Sequence, residues 1–318
     1  MAKHHYPIHP DFEKFPVITL SFNRVIIGLL NSFMKLECFF SQRQRLKRAK
    51  QHTLTNGDGS QFKVLQFTPQ RDSNEKLPAV LIFHGGAFAL TYGSVHLYSA
   101  EYIAEQANCA VFFVDYRLAH KAPFPAGFND CYSTLEWVHS NAEQLNIDTQ
   151  RIAVLGDSAG GGLAAGVAQR ALDEGKINVC GQVLVYPTLD HHCQSNTATT
   201  YVDTPLWNAT NNRRMWRYYL RDYNTYASGE AGIAPSYAAP GGREDLTALP
   251  ETYLETAEFD PLCDEGLTYA RRLIAASITT ELNETKGTIH GYDSILSNEI
   301  SIDAFQRRIA FLTRVFER

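Results

Sequence analysis

The 318-residue chain has no long uninterrupted apolar run, no cysteine pair spaced C-x-x-C, no excess of positive charge, and no repeat or low-complexity tract. Each absence excludes something. The longest apolar stretch, residues 15–40, is broken by Asn23, Arg24, Asn31, Lys35 and Glu37, too polar for a spanning helix, and reads as one or two amphipathic helices. Cys38, Cys109, Cys131, Cys180, Cys193 and Cys263 are dispersed, which speaks against a zinc cluster or disulfide framework and for free thiols in a reducing compartment. The opening MAKHHYPIHPDF shows neither the apolar core nor the cleavage site of an export signal, so the expected location is the cytoplasm.

A formal charge of -5 argues against nucleic acid or an anionic surface as the main partner and favours a small, neutral molecule. The basic run SQRQRLKRAK at 41–50 reads as the solvated face and last turn of a helix, where cations suit the dipole. No stable membrane insertion is expected, and a homodimer is left open. What the chain does have is 44% hydrophobic and 12% aromatic residues, enough for a large core.

After a helical opening of about 50 residues the texture alternates. QHTLTN and SQFKVLQFTP flank Gly57-Asp58-Gly59 as a β-hairpin. Strands are predicted at LPAVLIF, CAVFFVDYRL, QRIAVLG, CGQVLVYP, ETYLETA and ITTELNE, with helices at about 94–107, 127–145, 159–174 and 264–276, and a closing helix. Alternation of this kind predicts an α/β fold, a mainly parallel sheet flanked by helices with its chemistry at the carboxyl ends of the strands. Residues 190–247 break the rhythm, being rich in Tyr, Trp, Asn and Arg without a clear strand. With residues 1–50 they are read as helical cap elements on a single domain spanning 1–318.

The most informative string is RIAVLGDSAGGGLAAG, where an apolar strand enters Gly156-Asp157-Ser158-Ala159-Gly160 and a small-residue helix leaves it. This is G-x-S-x-G in a strand–turn–helix setting, which lifts Ser158 clear of the backbone as a nucleophile. A serine hydroxyl needs a general base. In this arrangement an acid and then a histidine follow the serine in the chain. The acids at a strand end are Glu258, Asp260 and Asp264. Asp260 is the best placed, while Asp264 opens a helix and reads as its cap. His290 in GTIHGYDS is the only histidine in the C-terminal segment. An oxyanion hole is expected from Gly85, Gly86 and Ala87 in LIFHGGAF together with Ala159, the donors being the N–H groups of Gly86, Ala87 and Ala159.

HGGAF, DYRLAHKAPFPAG, GDSAGG, EFDPLCDEG and IHG, in that order, resemble the hormone-sensitive-lipase-like group of α/β-hydrolases, especially its bacterial carboxylesterases, over about residues 60–318. The resemblance implies an eight-stranded sheet, a cap partly built from the N-terminus, no cofactor, activity on short acyl esters, and a triad of Ser158, Asp260 and His290. Two departures stand out. Ala87 replaces the group's usual third glycine, and its methyl narrows the acyl or alcohol site. His120-Lys121-Ala122 replaces the group's Pro-Glu-His, which unsettles any loop ion pair.

The bland readings compete at several positions. His191-His192-Cys193 is not expected to hold a metal, because adjacent residues do not readily face one ion. Asp157 is either a tuner of the nucleophile or a structural acid. Trp207, Trp216, Tyr218 and Tyr219 either line an entrance or pack the cap. The expected function is hydrolysis of small short-chain esters through an acyl-enzyme. The rivals are a serine amidase or peptidase on small amides, and a non-catalytic ligand-binding member of the fold, which would lack the histidine that this chain retains.

Overall fold

The computed structural model describes residues 6–70, 75–223, 235 and 237–317. The chain opens with the short helix α1 (Pro10–Glu13), an extended run, and the helices α2 (Arg24–Ser41) and α3 (Arg43–Arg48). β1 (Lys50–Thr55) and β2 (Gln61–Phe67) then pair antiparallel across the Gly57–Gly59 turn, as the hairpin pattern predicts. The remaining strands are β3 (Leu77–Phe83), β4 (Ala110–Asp115), β5 (Ile147–Asp157), β6 (Gly181–Val185), β7 (Glu251–Phe259) and β8 (Thr280–Ile289). Interleaved with them are α4 (Ser94–Gln106), α5 (Ala126–Ser140), α6 (Ala142–Leu145), α7 (Ala159–Glu174), α8 (Asn196–Thr200), α9 (Ala209–Tyr219), α10 (Cys263–Ala275) and α11 (Glu299–Phe316). Among the described residues of the 190–247 interval there is no strand, which agrees with its composition; residues 224–234 and 236 lie outside the description.

The eight strands form one sheet in the order β1-β2-β4-β3-β5-β6-β7-β8. β2 alone runs antiparallel to its neighbours. Side-chain alternation sorts the sheet's two faces. Leu81, Phe83, Phe112, Val114 and Val154 point to the layer that holds α5, α7 and α10. Val80, Ile82, Val111, Phe113 and Leu155 point to the layer of α4 and α11. Burial on both faces explains why the central strands β3, β4 and β6 read as continuous apolar runs, while the edge strand β8, half-exposed, is largely polar.

Parallel register is what assembles the site. Phe83 pairs with Gly156, so the loop after β3 lies beside the turn after β5. Phe259 pairs with Ile289, so the residues that follow them, Asp260 and His290, emerge side by side. All four strands end at one edge of the sheet, where an open parallel sheet offers its crevice.

Candidate active site

Ser158 stands between β5 and α7 with φ 54° and ψ -120°, a conformation unfavourable for a side chain with a Cβ. Such a residue costs about 1–3 kcal/mol and persists only when its surroundings over-determine it. Here the Ser158 amide donates to Val185 O (2.8 Å), and its carbonyl accepts from Gly162 N (3.1 Å) and Thr188 N (3.0 Å). The two glycines of the motif are required by close approach. A Cβ on Gly156 would overlap the Gly160 carbonyl, and one on Gly160 would overlap that of Phe83.

The turn carries the hydroxyl into a chain of hydrogen-bonding partners. Ser158 Oγ lies 2.8 Å from His290 Nε2, and His290 Nδ1 lies 2.6 Å from Asp260 Oδ2. The other oxygen of Asp260 accepts from the Leu262 amide at 3.0 Å. A carboxylate only accepts, so Nδ1 carries the proton toward Asp260, and Nε2 accepts from the serine hydroxyl. Asp260 is wholly buried, and Ser158 and His290 are 6% and 9% exposed. The three residues singled out in the sequence are thus brought together. The other two acids are not. Glu258 accepts from the Gly287 amide (2.7 Å), and Asp264 accepts from the Thr197 amide (2.9 Å). Asp264 therefore ties α8 to α10 instead of capping its own helix, whose cap position belongs to Leu262.

The expected oxyanion loop divides. Gly86 (φ 119°), Ala87 (φ 56°) and Phe88 (φ 56°) all adopt positive φ. The N–H groups of Gly86, Ala87 and Ala159 have no acceptor among the described residues. Gly85, expected in the hole but not among its three donors, has its N–H taken by Asp157 Oδ1 at 2.9 Å, so its part there is to position the loop. A Cβ there would collide with the same carboxyl group.

That contact assigns Asp157 to structure. Its second oxygen lies 3.4 Å from His96 Nε2, and His96 Nδ1 accepts from the Gly93 amide (3.0 Å). Burial pushes the Asp157 carboxyl up, but His96 outweighs it and holds the carboxyl below its usual value. Burial likewise pulls His96 down, and Asp157 lifts it above the ordinary histidine value. His84 differs. It is fully buried, stacks on Tyr116 with ring centroids 4.4 Å apart, and burial drives its pKa down to about 3.

Beneath His290 lies a buried ionic cluster that sequence reasoning missed. Arg308 on α11 reaches Glu255 Oε1 (2.5 Å) and Asp293 Oδ2 (2.8 Å). Tyr292 donates to Glu255 at 2.6 Å and Tyr186 to Asp293 at 2.5 Å, while the Tyr186 ring packs 4.8 Å from that of His290. The cluster fixes the loop that carries His290. A signal existed, since Arg308 falls on the apolar stripe Ala304, Phe311 and Val315 of its helix, where a lone cation needs buried partners.

The two predicted cap segments meet. Leu206 N donates to Pro16 O, Leu20 N to Asn211 Oδ1, and Asn211 Nδ2 to Ile18 O. From this second segment Trp207 lies 5.8 Å, ring to ring, from His290. Trp216 and Tyr219 are buried against Phe88, Tyr219 stacking on it at 3.7 Å. Tyr218 is half-buried against Phe22. In the variant loop, His120 sits 3.2 Å from Asn31 of α2, and Arg117 pairs with Asp130 and Asp58, both 2.8 Å away.

Of the triplet His191-His192-Cys193, the two histidines turn together with Asp190, one ligand-type atom from each lying within 4.8 Å of the others, and Cys193 is not part of that group. Asp190 Oδ1 already accepts from the His192 amide at 2.9 Å. All six cysteines are free thiols, and among the described residues no helix is long and apolar enough to cross a membrane.

Comparison with known proteins agrees with this architecture. A family model described as the alpha/beta hydrolase fold matches residues 80–294. Carboxylesterase NlhH of Mycobacterium tuberculosis is 37% identical over 218 residues, 69% of this chain and 67% of that protein. The structure of a bacterial heroin esterase superposes with a TM-score of 0.85 at 35% identity, covering 93% of this chain and 94% of the other. Esterase LipW of Mycobacterium marinum superposes with a TM-score of 0.87 at 29% identity over 98% and 97%. The chain belongs to the α/β-hydrolase family, within its carboxylesterase-type group resembling hormone-sensitive lipase.

Proposed function

We propose that the protein is a serine carboxylesterase that cleaves small, short-chain acyl esters through an acyl-enzyme on Ser158. The observation that carries this reading is the continuous Ser158–His290–Asp260 chain, 2.8 and 2.6 Å per link, at the mouth of the sheet. His290 Nε2 takes the hydroxyl proton as Ser158 Oγ attacks the ester carbonyl. Asp260 holds the imidazole in the required tautomer and supports its charge. The carbonyl oxygen becomes an oxyanion received by the N–H groups of Gly86, Ala87 and Ala159, each such donor being worth about 3 kcal/mol of barrier. His290 then returns the proton to the departing alcohol oxygen, and a water molecule, activated by the same imidazole, releases the acid.

Relatives named carboxylesterase, arylesterase and esterase support an ester, and a relative named arylacetamide deacetylase, 28% identical, makes a small amide the second reading. The preference for small acyl groups rests on the cap elements read at 1–50 and 190–247, whose described residues meet through Pro16, Ile18, Leu20, Leu206 and Asn211, and on the Ala87 methyl at the acyl or alcohol side. Trp207 beside His290 adds a bulky wall. Six free thiols fit a cytoplasmic enzyme. The test is the specificity constant for nitrophenyl esters graded by acyl length, with Ser158→Ala and His290→Ala alongside. Acetyl to butyryl esters should turn over best, and both variants should lose nearly all activity. A rate that rises steadily toward long chains, with a jump on emulsified triglyceride, would overturn the enclosed site. A wild-type rate in His290→Ala would overturn the mechanism.

A further inference from the structure

The structure assigns α2 and α3 a second role: a docking face that lies flat on an anionic phospholipid bilayer. Helix α2 has two apolar sides. Ile27 and Cys38, with Asn31 between them, form the buried side. Val25, Leu29, Phe33, Leu36 and Phe40 form a second stripe, 56–69% exposed. At 100° per residue these five occupy a sector of about 80° that faces directly away from the buried stripe. Contiguous apolar surface of this kind marks an interaction site, whereas scattered single residues do not.

The charges around it select the occupant. Between residues 24 and 50 there are seven cations and one acid, Glu37, in a chain whose total charge is -5. Arg45 and Arg48 are engaged by Glu101, but Arg43, Lys47 and Lys50 are exposed at the end of the stripe. Along one flank runs a cleft of about 520 Å³ lined by Arg24, Lys35, Lys63 and Lys121, with Asp115 the acid in it and paired with Lys35 at 3.1 Å. An apolar stripe with cations along one flank and at its C-terminal end matches a bilayer whose acyl boundary is apolar and whose headgroups are anionic. A second copy of the chain would bring the same cations against one another. Asn31 of α2 also holds Ala89 O (2.8 Å) and the Thr91 amide (2.8 Å), so the docked face is one helix away from the oxyanion loop. Lipid-dissolved esters would therefore meet the enzyme on its cap side. The docking itself is independent of the ester chemistry.

Flotation of the full-length protein with vesicles tests this. Equimolar phosphatidylcholine and phosphatidylglycerol vesicles should carry the protein, and pure phosphatidylcholine vesicles should not. Each surface cation contributes about fivefold to binding of this kind. Arg43→Gln/Lys47→Gln should thus weaken binding by about twentyfold or more, and molar salt should abolish it. Leu29→Ser/Phe33→Ser should weaken it by at least about tenfold. Circular dichroism and thermal midpoint should match wild type for both, since all four side chains are exposed. No flotation, flotation indifferent to either variant, or a wild-type dimer that Leu29→Ser/Phe33→Ser converts to monomer would each overturn the assignment.

Discussion

Replacing Arg308 with methionine removes the only cation among the described residues from a buried group that contains Glu255, fully buried, and Asp293, 8% exposed. Burial alone would pull the guanidinium down, yet Glu255 and Asp293 hold it well above its usual value, so it is charged at every working pH. Removing one partner from a buried ion pair typically costs about 3–5 kcal/mol, because the other charge is left without compensation. The low end applies here, since Glu255 keeps the Tyr292 and Tyr253 hydroxyls and Asp293 keeps that of Tyr186. The expected loss is thus about 3 kcal/mol, roughly 150-fold in the folding constant. Urea unfolding at neutral pH measures it. The triple variant Arg308→Met/Glu255→Gln/Asp293→Asn should recover most of the loss. A single variant as stable as wild type, or a triple variant no better than the single one, would refute the reasoning.

Two further outcomes follow from the loop after β3. His84, driven down to about 3 by burial, stays unprotonated while the unfolded chain takes up a proton near the ordinary value of about 6.5. Stability should therefore fall by about 1.4 kcal/mol per pH unit from this group as pH drops below about 6.5. His84→Asn should flatten that slope in urea titrations, and an unchanged slope would count against it. Ala87 holds φ 56°, so Ala87→Gly relieves about 1 kcal/mol of left-handed strain while adding comparable unfolded-state entropy. Its stability should change little, but its acyl-length optimum should move to longer chains. An unmoved optimum would remove the methyl from the specificity argument.

Most of the framework was legible because local and global signals agree. The predicted strands and helices between residues 50 and 318 are present, although the helix expected at 127–145 breaks in two near Asn141 and the last strand runs on to Ile289. Ser158, Asp260 and His290 each directly follow a strand, of which β5 carries a clear apolar run and β8 is largely polar. Parallel register then does what sequence order cannot show, placing Asp260 beside His290 through the Phe259–Ile289 pair. What escaped was contact between distant polar residues. No spacing rule links Gly85 to Asp157, 72 positions away, whose carboxylate takes its amide and holds the oxyanion loop. The Glu255–Asp293–Arg308 cluster joins three elements, and no spacing rule links them. The basic run after α2 reads as a solvated face. Only burial reveals that the apolar side next to it is also solvated, since a helical wheel cannot say which of two apolar stripes packs on the fold.

The central claim is that Ser158 attacks the substrate. The most direct measurement is reaction of the native protein with a fluorophosphonate, followed by mass spectrometry of the intact chain and its peptides. One adduct per chain, located on Ser158 and lost together with esterase activity in Ser158→Ala, is the predicted result. An adduct on another serine, with esterase activity intact in Ser158→Ala, would contradict the account.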